Sequence, residues 1–268
     1  MRLILTYHSL NASGWCYHDN DHIALWNDLC LLAHLNYTVL PLQTFVDAIH
    51  GHCISSLPPD SVALTCDDGP DHDYLDFYHP QAGLLPSFKS IVEQARRSGQ
   101  SASMTSFVIA NPHAREQLDK ACIAGRNQWN DSWWKEATQD DSWSIACHSW
   151  DHNHPSVVPR ITPNVEPGKF CNIDTPQMAD LQIKEAMELI QATTNGEAKQ
   201  WLAFPYGESN DFLREVYLPS CGCVSAAFTT EGAYLDDETH QFEIPRFVCG
   251  EHWSSPAGLV KLLTGESK

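Results

Sequence analysis

Short apolar runs alternate with longer stretches of helical periodicity along this chain, and that alternation limits its fold more than any other feature. The runs occupy residues 3–7, 37–40, 61–66, 102–109, 144–147, 201–204, 224–229 and 244–249. Each is bounded by polar or turn residues, as buried strands are. Between them, Ile23, Trp26, Leu29 and Leu32 recur at helix spacing, as do Phe88, Ile91 and Ala95, and Met178, Leu181 and Met187. Thr175 can cap the last helix, Pro176 suits its first turn, and Gly196 suits its C-terminal end. Strand–helix–strand repetition builds parallel sheet. Eight strand candidates in 268 residues therefore predict an α/β fold, a distorted (β/α) barrel of seven or eight strands, in a single domain over residues 1–268. The stretch around residues 127–143, with Trp129, Trp133, Trp134 and Trp143, reads as an insertion in that barrel.

Charge narrows the partners. A net charge of −18 repels phosphate backbones and anionic lipid, which argues against nucleic acid and membrane surfaces. The longest apolar run near the start, Leu3-Ile4-Leu5, is too short for a signal-peptide core or a membrane span, so the chain reads as cytoplasmic, without membrane insertion. The ten cysteines do not resemble a disulfide scaffold in a chain of this size. Cys30, Cys66 and Cys147 sit in apolar runs and read as reduced, buried thiols. Cys221-Gly222-Cys223 lacks both a second pair for zinc and the two-residue gap of a redox motif. Nothing in the sequence bears on oligomeric state.

In an α/β barrel the functional groups gather at the C-terminal ends of the strands. The sequence places His8, Asp67-Asp68, His148 to His152, Pro205-Tyr206 and Arg246 at such positions. Asp67-Asp68-Gly69 is good turn chemistry, but its adjacent carboxylates also point apart, so one can ligate a metal while the other reaches water. His148 and His152 stand four residues apart, a spacing that brings both rings to one face of a helical turn. Two imidazoles with one carboxylate leave a position open for water on a divalent ion.

These residues carry a family resemblance. Thr65-Cys66-Asp67-Asp68-Gly69 resembles the Thr-Phe-Asp-Asp-Gly motif of the polysaccharide deacetylases, the NodB homology domain of carbohydrate esterase family four. His148-Ser149-Trp150-Asp151-His152 matches that family's His-Ser/Thr-x-x-His motif. Phe204-Pro205-Tyr206-Gly207 is similar to its third motif, which usually carries Arg before Pro-Pro-Tyr. Tyr7-His8 and the abbreviated ending resemble the exopolysaccharide-modifying branch. The resemblance spans residues 3–247 and implies a metal-dependent deacetylase. Asp68, His148 and His152 would then hold one divalent metal, zinc foremost, with cobalt, nickel and manganese as alternatives. Asp67 would be the general base, and Tyr206 would sit in the loop whose backbone N–H holds the oxyanion.

The chain departs from the family in three places. Ala203 and Phe204 stand where the motif arginine is usual, leaving Arg246 as the nearest substitute to steady Asp67, with Glu243 as that arginine's competing partner. The later Asp-Trp segment is missing. The Leu-x-His that supplies the acid is not evident, which leaves His252 as the foremost candidate and His8 behind it.

The implied substrate is an acetylated carbohydrate, a poly- or oligosaccharide containing N-acetylglucosamine. The same residues would also suit a cyclic amide or imide hydrolase, an O-acetyl esterase, or a catalytically weak metal-bearing carbohydrate-binding protein. Trp133, Trp134 and Trp150 could line a sugar groove or simply pack. His154 reads as a loop residue, His18, Asp19, Asp21 and His22 as a charged surface loop, and Asp71, His72 and Asp73 as the border of the site.

Overall fold

The computed structural model describes residues 1–79 and 83–266. Its strands are β1 (Arg2–Tyr7), β2 (Thr38–Val39), β3 (Ser61–Cys66), β4 (Phe77–His79), β5 (Gly83–Leu85), β6 (Met104–Val108), β7 (Trp143–Cys147), β8 (Trp201–Ala203), β9 (Ala226–Phe228) and β10 (Phe247–Val248). All eight strands expected from the sequence are present, most of them trimmed at their ends. The antiparallel pair β4–β5 was not anticipated, because its short segments carry no alternating pattern.

The main sheet is entirely parallel, in the order β10-β1-β3-β6-β7-β8-β9, with β2 added to β3. Phe228 of β9 makes a further parallel bridge to Ile244, just upstream of β10, so residues 244–248 touch both ends of the strand order. The sheet therefore curls on itself as a distorted barrel. Nearly every strand residue is buried, as expected of parallel strands covered on both faces. Alternation sorts them into two layers. Leu3, Leu5, Val62 and Leu64 pack outward beneath the helices, whereas Ile4, Ala63, Phe107, Ala146 and Phe228 fill the inside. The helix Leu42–His50 contributes Phe45, Val46 and Ile49 to the inner layer.

Local signals set the helices. Asn20 accepts the backbone N–H groups of His22 and Ile23 at the start of Asp21–His34, and Ser87 caps Phe88–Arg97. Thr175 caps Pro176–Ala179 as anticipated, but the helix then widens into one π turn, Asp180–Lys184, before resuming as Glu185–Thr193. Such bulges recur at functional sites.

Burial corrects several expectations. Trp133 and Trp134 are core residues, 2% and 0% exposed, and Trp133 stacks on Tyr74, so neither offers a face to a sugar. Asp21 and His22 are buried rather than superficial, because helix capping turns them inward. All ten cysteines are free thiols; only Cys66, Cys147 and Cys249 are buried, and Cys30 lies on the exposed side of its helix. Among the described residues, no helix is long and apolar enough to cross a membrane.

Candidate active site

The parallel register brings the ends of β1, β3, β7, β8 and β9 to one rim, around a cleft of about 300 Å³. His8, Asp67, Asp68, His148, His152 and Tyr206 all line it. Backbone strain concentrates on this rim. Asp68, Ser149, His152 and Tyr206 are non-glycine residues at φ 77°, 70°, 60° and 60°. Gly69, at φ 72°, packs so closely on β6 that a Cβ there would lie 2.6 Å from Val108 Cγ1. Only glycine fits that crossing, and it turns the chain so that Asp67 and Asp68 face the cleft.

Asp68, His148 and His152 converge, their ligand atoms all within 4.8 Å of one another. Both imidazole Nε2 atoms lie 3.7 Å from Asp68 Oδ1. That is too long for hydrogen bonds and close to the ~3.4 Å edge of a tetrahedron with ~2.1 Å metal–ligand bonds. His148 Nδ1 donates to the Ala203 carbonyl at 2.9 Å, which leaves Nε2 with its lone pair toward the site. Burial holds the His152 imidazole well below its ordinary range, and His148 adds to the effect. Neutral imidazole is the ligating form, and the three residues fit a divalent cation by donor type and spacing.

Asp67 sits beside this triad. Arg246 donates to both its carboxylate oxygens, Nη1 to Oδ1 and Nη2 to Oδ2, each at 2.7 Å. Burial by itself would raise the Asp67 pKa, but the charge of Arg246 and its hydrogen bonds hold it well below the usual carboxylate range. Arg246 is itself completely buried. Its guanidinium lies over the rings of Phe107 and Phe228, and Nε donates to the Thr229 carbonyl. It does not stand at a strand end as the sequence suggested. It precedes the two-residue β10, and its long side chain reaches through the barrel interior to Asp67. Glu243, the competing partner, pairs with Arg214 instead.

Tyr206 projects into the cleft with its ring edge-on to His152 at 4.4 Å. Gly207 follows at φ 68°, where a Cβ would meet Thr230 Oγ1 at 1.9 Å, so the Pro205–Gly207 turn is pressed against the end of β9. His252 is not among the residues lining the cleft. Its Nδ1 accepts the Val248 N–H, its ring packs on Phe247, and its Nε2 faces Gly232, so it closes the turn after β10. His8 and Glu251 line the cleft instead, as does His154.

Several residues that support the site carry no sequence signal. Asp21 Oδ2 accepts the His8 N–H and Oδ1 accepts from Asn11, anchoring the loop after β1. Gln182, in the π turn, donates to Asp151 Oδ1, and its backbone carbonyl accepts the Trp150 N–H. It thereby ties the His148–His152 loop to the helix behind it. Trp129 lines the cleft and donates to the Asp68 carbonyl, while Trp150 packs on the outer core. Asp73 lies buried below, accepting from Ser9, Ser106 and Cys66, and burial pushes its carboxyl up to about 7.

Comparison with known proteins agrees with this geometry. Residues 55–218, more than half of the chain, match the sequence profile of the polysaccharide deacetylases. The chain belongs to that family. No curated protein sequence matches it. Among solved structures, this polysaccharide deacetylase resembles the Streptococcus pyogenes deacetylase PplD in complex with acetate, at TM-score 0.66 and 17% identity, over 98% of this chain and 97% of that one. It also resembles IcaB from Ammonifex degensii, at TM-score 0.66 and 16% identity, over 98% and 95% of the two chains. A de-N-acetylase from Aggregatibacter actinomycetemcomitans aligns at TM-score 0.62 and 16% identity, over 97% and 99%. At such identities the likeness is one of fold.

Proposed function

We propose that this chain is a divalent-metal N-deacetylase acting on N-acetylglucosamine residues of a poly- or oligosaccharide, with zinc as its native metal. The observation that carries the reading is the Arg246-held carboxylate of Asp67 beside the Asp68–His148–His152 triad, in one cleft. Asp68, His148 and His152 would hold a divalent ion, which would supply Lewis acidity for the water and the acetyl carbonyl. The remaining work falls to the chain itself.

Asp67 is ionised, and each of its oxygens keeps a lone pair beyond its bond to Arg246, so it accepts the proton of the attacking water. The backbone N–H of Tyr206, in the strained turn, steadies the negative charge that develops on the acetyl oxygen. As the carbon–nitrogen bond breaks, the departing amine needs a proton. His8 is the acid we assign, since it lines the cleft and His252 does not. Acetate and a free amino sugar are the products.

The test is acetate and amine release from N-acetylglucosamine oligosaccharides by metal-replete protein, before and after chelation. Chelator-sensitive release of both products supports the reading. Release from acetyl esters or opening of allantoin-like rings, with amides untouched, moves the reaction to another bond. Sugar binding without any release makes the protein a lectin-like binder.

A further inference from the structure

A second cavity, of about 330 Å³, adjoins the catalytic cleft and shares Leu10 and Cys122 with it. Its wall includes His72, Phe77, His79 and Arg126. The His72 ring is 4% exposed and stacks on Phe77 at 3.7 Å and 15°. Its Nε2 lies 3.2 Å from Gln128 Oε1, which commits that nitrogen as donor, while Nδ1 has no hydrogen-bond partner among the described residues. Burial holds this imidazole below its ordinary range, and the charge of nearby Arg126 adds to that effect.

Arg126 is exposed and forms no hydrogen bond or ion pair among the described residues. Every other arginine is engaged. Arg2 grips backbone carbonyls, Arg160 bonds Asn153, and Arg96, Arg97, Arg115, Arg214 and Arg246 pair with carboxylates. In a chain of net charge −18, carboxylates are in excess, so a guanidinium without one is conspicuous. A planar fork of donors suits carboxylate or phosphate.

We propose that this cavity is a subsite for an anionic substituent, a carboxylate or a phosphate, on the sugar next to the acetylated one, with Arg126 as its main contact. The proposal rests on the deacetylase reading and narrows its substrate to acidic glycans.

The experiment uses matched oligosaccharides: one of alternating N-acetylglucosamine and glucuronic acid, its carboxyl-reduced counterpart, and one carrying a phosphate monoester at the equivalent position. Metal-replete wild type and Arg126→Gln are compared by kcat and KM on each, and wild type also by calorimetric binding. The wild type should favour a charged substrate through KM, and Arg126→Gln should shrink that preference about tenfold, the value of one hydrogen bond to a charged group. Raised salt should erode it too, and Arg126→Lys should keep part of it. Whichever charged substrate gains more identifies the source of the anion. Equal kcat/KM and equal binding for charged and neutral substrates, or a preference that survives Arg126→Gln, would overturn the proposal. If no substrate releases acetate, the deacetylase reading fails instead, and calorimetry with the same matched set still decides the subsite.

Discussion

Arg246 holds Asp67 by two parallel hydrogen bonds of 2.7 Å, across 179 residues of sequence, with Arg246 wholly buried inside the barrel and Asp67 at the floor of the cleft. A buried pair of this kind stores its consequences in its separation: breaking it by removing one partner typically costs ~3–5 kcal/mol, because the other charge remains buried. Arg246→Met should therefore lower stability by about that amount in chemical denaturation. Combined with Asp67→Asn, it should cost less than the two single changes added together. Additivity to within about 0.5 kcal/mol would show that the contact carries no coupling.

The same pair sets a pH dependence. Asp67 has its pKa depressed in the fold, so the stability it contributes is complete above the unfolded carboxylate value of about 3.9 and is lost as pH falls through the lower folded value. Without the guanidinium, burial dominates and favours the protonated acid. The acid limb of the rate profile of Arg246→Met should then move upward by roughly 1–3 units, with metal content unchanged. An unmoved limb together with near-normal turnover would make Arg246 structural only.

Asp67→Asn tests the base itself. The amide keeps an oxygen to accept from Arg246, and Thr229 and Thr65 still accept from the same guanidinium, so the protein should fold and retain metal. Turnover should fall by ~10²–10⁴, the usual contribution of a general base. A loss under about tenfold would place the base elsewhere.

Metal content tests the triad. Elemental analysis should give about one divalent ion per chain, as a site of two imidazoles and one carboxylate predicts. His148→Ala and His152→Ala should each lose most of it, since either change leaves two ligands. Retention at wild-type affinity in either variant would sink the assignment.

His8 and His252 separate the two candidate acids. His8→Gln should depress kcat on amides far more than on acetyl esters with good leaving groups, because only a poor leaving group requires a proton. His252→Gln should disturb stability more than this ratio, since its ring closes a turn through Val248 N–H. The reverse pattern would return the acid to His252.

The sequence by itself determined the class of fold and the position of the chemistry along it. Eight short apolar runs, each followed by polar residues, suffice for a parallel barrel, because a strand covered on both faces must read as continuously apolar and its functional residues must follow at its end. Asp68, His148 and His152 were legible for the same reason: their motifs are local, each contained within one strand end. What needed the tertiary structure was everything that depends on distance in space rather than along the chain. Only the closing of the sheet through residues 244–248 puts Arg246 within reach of Asp67, leaves Glu243 to Arg214, and turns His252 out of the cleft while His8 enters it. Burial was equally illegible for Trp133, Trp134 and Asp21, since an aromatic or acidic residue reads the same whether core or surface surrounds it. Gln182 shows the limit most clearly. Nothing in its neighbourhood predicts that one wide helical turn would free a carbonyl for Trp150 and aim an amide at Asp151, because that turn is selected by packing against the loop it holds.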